Sequence, residues 1–181
     1  GLERFAGIPG TVGGAVFGNA GGPPGTATVG ELVRRARVLE ADGRVVWRTG
    51  EELGLRYRAS DLKGCLIVAV DLGLKPGCPE KLRRLRLDMS ARKGRVQPLE
   101  ARSAGCTFRN PEGQSAGRLI DELGLKGLSV GGAEVSMVHG NFLVNRGGAT
   151  ARDILGLMDL VRQRVFEAHG ICLHPELRLV A

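Results

Sequence analysis

The sequence lacks the features that mark several large function classes. Aromatic residues make up only 4%, with a single Trp and a single Tyr. That leaves little for stacking unpaired bases and argues against single-strand nucleic-acid binding. No apolar run approaches the roughly 20 residues needed to cross a bilayer. The opening GLERFAGIPG has neither the basic start nor the apolar core of a signal peptide. There is no initiator Met, so the numbering is expected to begin inside a longer polypeptide or after a removed segment. The four cysteines, Cys65, Cys78, Cys106 and Cys172, form no CxxC pair, and the three histidines complete no zinc spacing. No metal is therefore expected, and scattered cysteines fit a reducing, cytoplasmic setting. Neither a GxGxxG fingerprint nor a P-loop ending is present, and no second His or carboxylate suggests a hydrolase triad.

What is present points to a folded protein with an anionic partner. Hydrophobic residues reach 43% over 181 residues, enough for one large domain or two small ones. The net charge of +7 favours phosphate-bearing ligands, acidic lipids or nucleic acid, although an Arg-rich soluble surface explains it equally well. The basic residues are spread over both halves rather than grouped in one stripe, which counts against a nucleic-acid module.

Along the chain, residues 1–28 form a Gly-, Pro- and Ala-rich stretch read as loop. LVRRARVLE and RVVWR around Asp42-Gly43 predict a β-hairpin. Thr49 and Glu52 predict a capped helical turn, and residues 64–74 a buried strand. Pro79 opens a helix over 79–93, with Leu82, Leu85 and Met89 at helical spacing and basic faces that read as solvated surface. The linker KGRVQPLEA sets a domain boundary near residue 94, dividing 1–93 from 94–181. The second half predicts a strand near 104–109, a helix from Ser115 to Leu123, and strands near 134–138 and 141–145. A long helix then runs from Thr150 to Gly170, with Asp153 in capping position and Ile154, Leu157, Met158, Val161 and Val165 as its core stripe. A closing strand is expected over 171–180, which makes a β-α-β-β-α-β unit and an α+β fold.

Four stretches can carry chemistry. In GIPGTVGGAVFGNAGG, glycines at 7, 10, 13, 14, 18, 21 and 22 let backbone N–H groups approach a phosphate or flat ring, and Asn19 could add an amide contact. The alternative is a tight structural loop. In YRAS, Arg58 is either a surface residue or a fixed anion clamp. In SAGCTFRNP, Cys106 is either a small packed thiol or a proton donor, since a thiol with an ordinary pKa near ~8.5 is mostly protonated at neutral pH. In LHPELRLV, Glu176 interrupts an apolar strand, so it lies at an edge or is buried with a partner. His174 reads as a surface or packing residue.

Taken together and in order, these stretches resemble the UDP-N-acetylenolpyruvoylglucosamine reductases, also called UDP-N-acetylmuramate dehydrogenases. GIPGTVGGAVFGNAG is similar to that family's flavin-contacting loop, YRAS to its YR-x-S and GCTFRNP to its GS-x-FKNP. AGRLIDELGLKG, GGAEVSMVHGNFLVN and HPELRLV are similar to its later signatures. The resemblance implies the second lobe of an FAD-binding domain over residues 1–93 and a substrate-binding domain over 94–181. It also implies the family reaction: NADPH reduces FAD, hydride passes to C3 of UDP-N-acetylglucosamine enolpyruvate, and a proton is added at C2. Arg58 and Glu176 would polarise the substrate carboxylate, with Glu176 protonated or hydrogen-bonded so that the two carboxylates do not repel. Cys106 stands where the family usually has a Ser proton donor, a mild change because a thiol is the stronger acid. Gly7, Ile8, Pro9, Gly10, Thr11, Gly13, Gly14, Asn19 and Arg58 fall at flavin contacts. Tyr57, Arg109 (in place of the usual Lys), Asn110, Lys126 and Asn141 fall at substrate contacts. The family's first flavin lobe is not within these 181 residues, so FAD binding would need it. The short span between YRAS and GCTFRNP resembles the subclass without the Tyr-bearing loop over the substrate. A different flavin-dependent oxidoreductase on the same fold is the alternative. Nucleic acid and membrane are not expected partners.

Overall fold

A computed structural model describes residues 1–179. The chain divides between Ala91 and Arg92 into two compact units. Among the described residues no helix is long and apolar enough to cross a membrane.

The first unit is built on an antiparallel sheet of β1 (Val33–Leu39), β2 (Val45–Thr49) and β3 (Leu66–Leu72), in the order β2-β1-β3. The predicted hairpin forms: Gly43 takes φ 87° at the turn, and Arg44 N donates to Asp42 Oδ1 at 3.0 Å. Strand β1 buries Val33, Ala36 and Val38, and a register shift between Val33 and Arg35 breaks the strict alternation. A short helix, α1 (Val12–Phe17), packs on β3 and buries Val16. It arises inside the stretch expected to be loop, because Gly13 and Gly14 mask its helical pattern. Strand β3 was expected to be a buried strand. It is covered on one face only, and Leu66 and Val68 face outward. Thr49 and Glu52 form the expected reciprocal cap of a short helical turn, with Thr49 N donating to Glu52 at 2.6 Å and Leu53 N to Thr49 O at 3.1 Å.

Helix α2 spans Pro79–Val96, three residues beyond the expected end, and buries nothing. Leu82 and Leu85, two of the apolar positions at helical spacing, are 36% and 41% exposed. The helical spacing was legible, but it did not reveal whether anything covers the stripe.

The second unit holds an antiparallel sheet in the order β4-β7-β6-β5, made of β4 (Ser103–Cys106), β5 (Ser129–Val130), β6 (Ala133–Val135) and β7 (Phe142–Asn145). The helices are α3 (Ala116–Glu122), capped by Ser115, and α4 (Ala151–His169). Helix α4 starts with the Thr150–Asp153 capping box and stops at Gly170 in the left-handed region, φ 68°, as its sequence predicts. Leu157, Met158, Val161 and Val165 are buried from it against Phe108, Ile120, Leu143 and Leu173. Strand β5 is additional to the expected order. The expected closing strand over 171–180 is reduced to one antiparallel bridge, Phe108 with Pro175, and Val180 lies outside the described residues. Arg109 N donates to His174 O and Glu176 N to Thr107 O, both at 2.8 Å. These bonds flank the bridge, so Pro175 sits at the non-hydrogen-bonded position where its missing N–H is not needed.

Candidate functional site

In the first unit, two motifs read separately in the sequence are tied together. The Arg56–Ala59 turn is closed by reciprocal backbone bonds of 3.0 and 3.1 Å, and it holds Arg58 at φ 53°. A non-glycine residue in the left-handed region costs free energy and often marks a functional position. The Arg58 guanidinium donates to Gly21 O at 2.7 Å and lies 5.1 Å from the Tyr57 ring. Ser60 Oγ donates to Phe17 O at 2.7 Å. Asn19 Nδ2 donates to Arg56 O at 3.1 Å, while its Oδ1 accepts from Gly30 N at 2.9 Å. Asn19 is 5% exposed, so its amide braces the turn against the glycine stretch; an outward amide contact, as the sequence suggested, would have to break these bonds.

The glycine stretch lines a cavity of about 690 Å³, within the usual size of ligand sites. Gly7, Ile8, Pro9, Gly10 and Thr11 are on its wall, whereas Gly13, Gly14, Asn19 and Arg58 are not. Gly10 has φ 108° and open space where a Cβ would be. The backbone there is accessible to a ligand without side-chain interference. Thr11 caps α1, accepting from Gly14 N at 3.1 Å. An apolar cavity with exposed glycine backbone suits a flat ring, so these residues fit a flavin.

In the second unit, the GCTFRNP segment is fixed on both sides. Asn141, 2% exposed, accepts from Phe108 N at 2.9 Å and donates to Phe108 O at 2.7 Å. Its backbone carbonyl accepts from Thr107 N at 2.8 Å. Asn141 therefore acts on this segment as a neighbouring strand would, and its carboxamide is engaged there. On the other side, the Glu176–Thr107 bond sets the carboxylate-bearing residue across from the neighbour of Cys106. Cys106 and Glu176 are both half-buried. Asn110 Oδ1 accepts from Ala116 N at 3.0 Å at the start of α3, and half-buried Lys126 pairs with Asp121 at 2.7 Å. Thr107 Oγ1 and Arg109 Nε are buried without a hydrogen-bond partner among the described residues. Unsatisfied buried polar atoms on the same segment as the thiol are a site signal in their own right.

His139 escaped the sequence reading. Its Nδ1 accepts from Asn141 N at 3.1 Å, and its ring meets Phe142 edge-on at 5.0 Å. Burial, with the Lys126 charge second, holds its pKa below the ordinary histidine value, with Asp121 opposing. A Cβ on Gly117 would come within 2.8 Å of the ring, so this position requires glycine. The HGN spacing in the sequence was the available clue.

The known proteins that this chain matches are named as reductases. Residues 97–180 match the family model of the C-terminal domain of UDP-N-acetylenolpyruvoylglucosamine reductase. The reductase of Clostridium botulinum strain Hall is 41% identical over 182 residues, covering 99% of this chain and 59% of the relative. That of Desulfosudis oleivorans is 44% identical over 189 residues, covering 99% and 60%. The crystal structure of the Thermus caldophilus reductase (MurB) superposes with a TM-score of 0.85 at 44% identity, covering 98% of this chain and 63% of that one. The chain thus spans about three fifths of the length of these relatives.

Proposed function

We propose that the full-length protein reduces UDP-N-acetylglucosamine enolpyruvate to UDP-N-acetylmuramate in peptidoglycan synthesis, in the cytoplasm, using NADPH and bound FAD. Residues 1–93 would serve as the second lobe of the flavin domain and 94–181 as the substrate domain. The observation that carries this reading is the Phe108–Pro175 pairing, which aligns the thiol segment with the carboxylate segment through bonds at Arg109 and Glu176.

When bound, FAD supplies the hydride that the chain's own side chains cannot. The wall from Gly7 to Thr11 orients the ring and excludes water from it. Arg58, held by its turn, and Glu176 act on the substrate carboxylate, where negative charge grows as hydride arrives at C3. Glu176 does this as a hydrogen-bond donor, that is, in its protonated form. The Cys106 Sγ proton goes to C2, leaving a thiolate that solvent reprotonates. Tyr57, Arg109, Asn110 and Lys126 contact the nucleotide substrate. Asn141 holds the strand that carries the thiol.

The test separates the two half-reactions. In the full-length enzyme, Cys106→Ala should leave flavin reduction by NADPH intact and cut product formation by about 10²–10⁴-fold. Cys106→Ser should keep substantial turnover. Equal loss in both variants removes the proton-donor role, and a full-length protein that binds FAD but never consumes the enolpyruvyl nucleotide removes the reading itself.

A further inference from the structure

Glu176 reaches the thiol segment at the end of a short excursion from α4. The helix stops at Gly170, and Glu176 N then donates to Thr107 O. The stretch between them is held at two neighbouring residues. Leu173 is fully buried, in one apolar cluster with Leu157, Val161 and Val165 of α4. A carbonyl in such a place needs a donor. Leu173 O accepts from Arg162 Nε of α4 at 3.1 Å. The next carbonyl, His174 O, accepts from Arg109 N of the thiol segment at 2.8 Å. Neighbouring carbonyls are thus taken by different elements, one by the helix and one by the thiol segment. The Arg162 guanidinium is itself steadied by Asp159, one helical turn back, with Nη1 3.2 Å from Oδ1. That pair is exposed and adds little on its own. Its effect is to orient the planar fork so that Nε meets Leu173 O as a charged donor.

We propose that Arg162 is a positioning residue for Glu176: by fixing the Leu173 carbonyl from the helix side, it sets where the carboxyl stands relative to the thiol segment. In this role it touches neither substrate nor flavin. The proposal rests on the reading of Glu176 as a donor to the substrate carboxylate. A reacting group displaced by about 1 Å can lose on the order of 10²-fold in rate. A loosened approach should therefore show in the chemistry before it shows in the fold, because the buried face of α4 does not include Arg162.

The experiment uses the full-length enzyme and follows flavin absorbance through two separate steps, reduction by NADPH and reoxidation by the enolpyruvyl nucleotide. Arg162→Met keeps the apolar stem and removes the donors. It should leave reduction unchanged and slow reoxidation by roughly 10–100-fold. Arg162→Lys keeps one charged donor and should recover most of that rate. The decisive comparison is with Glu176→Ala, where no carboxyl remains to be placed. In that background Arg162→Met should add no further loss, since residues that act as a unit are not additive. Full additivity overturns the proposal and leaves the reading of Glu176 standing. So does wild-type reoxidation in Arg162→Met, a Lys variant as slow as the Met variant, or reduction and reoxidation slowed together. If Arg162→Met fails to fold, Asp159→Ala carries the test, as a surface change of little cost to the fold. A smaller loss confined to reoxidation is then expected, and wild-type rates would overturn the proposal. Undiminished reoxidation in Glu176→Ala alone removes the role of Glu176, and that of Arg162 with it.

Discussion

Asn141 shows how one side chain can stand in for a strand. Its carboxamide satisfies both backbone groups of Phe108 in a place where neither can reach water. Replacement by alanine strands a buried N–H and a buried C=O at once, at a cost of roughly 2–5 kcal/mol. Urea unfolding of Asn141→Ala should show that loss, and substrate turnover should suffer with it because Cys106 rides on the same segment. The residue was legible in the sequence as a family position, but its task was not: spacing cannot tell an amide facing a ligand from one facing the backbone. Asn19 makes the same point, held between Arg56 O and Gly30 N. Arg58 was read as either a surface residue or an anion clamp, and its left-handed backbone is a property of a closed turn that only coordinates reveal.

At the scale of elements, signals that are local and strong were read well. The Asp42-Gly43 turn, the Thr150 capping box and the Gly170 stop all stand where their residues put them. Elements whose identity depends on non-local partners were not. Helix α1 is hidden by its glycines, and the last segment has strand composition but finds one bridge where a ladder was expected. That bridge makes a prediction about proline. Pro175 gives up no ladder hydrogen bond, so Pro175→Ala should leave the pairing intact and destabilise by only about 0.4–1 kcal/mol, through the freer unfolded chain. A larger loss in thermal or urea unfolding would mean that the ring itself packs the segment down.

For the molecule as a whole, the α+β class was within reach of the sequence, because each half has its own run of strands, helices and turn residues. Stability as a function of pH was not, since it depends on how deeply His139 is set. Its folded pKa is depressed, first by burial and then by Lys126. The unfolded chain therefore binds this proton more readily than the folded one. The contribution is fully present above the ordinary value near ~6.5 and is lost as pH falls from there through the lower folded value. The urea midpoint should decline over that window, and His139→Gln should flatten the decline. An unchanged slope in the variant would assign the acid sensitivity to other groups.

The bridge between Phe108 and Pro175 also sets an order of events during synthesis. The thiol segment leaves the ribosome long before the carboxylate segment exists, and two backbone bonds pair the latter with it. A nascent chain therefore carries Cys106 without Glu176 until translation has nearly reached the end of this stretch. On the mechanism proposed above, the reaction centre would be assembled last, so an interrupted message would yield a protein without it.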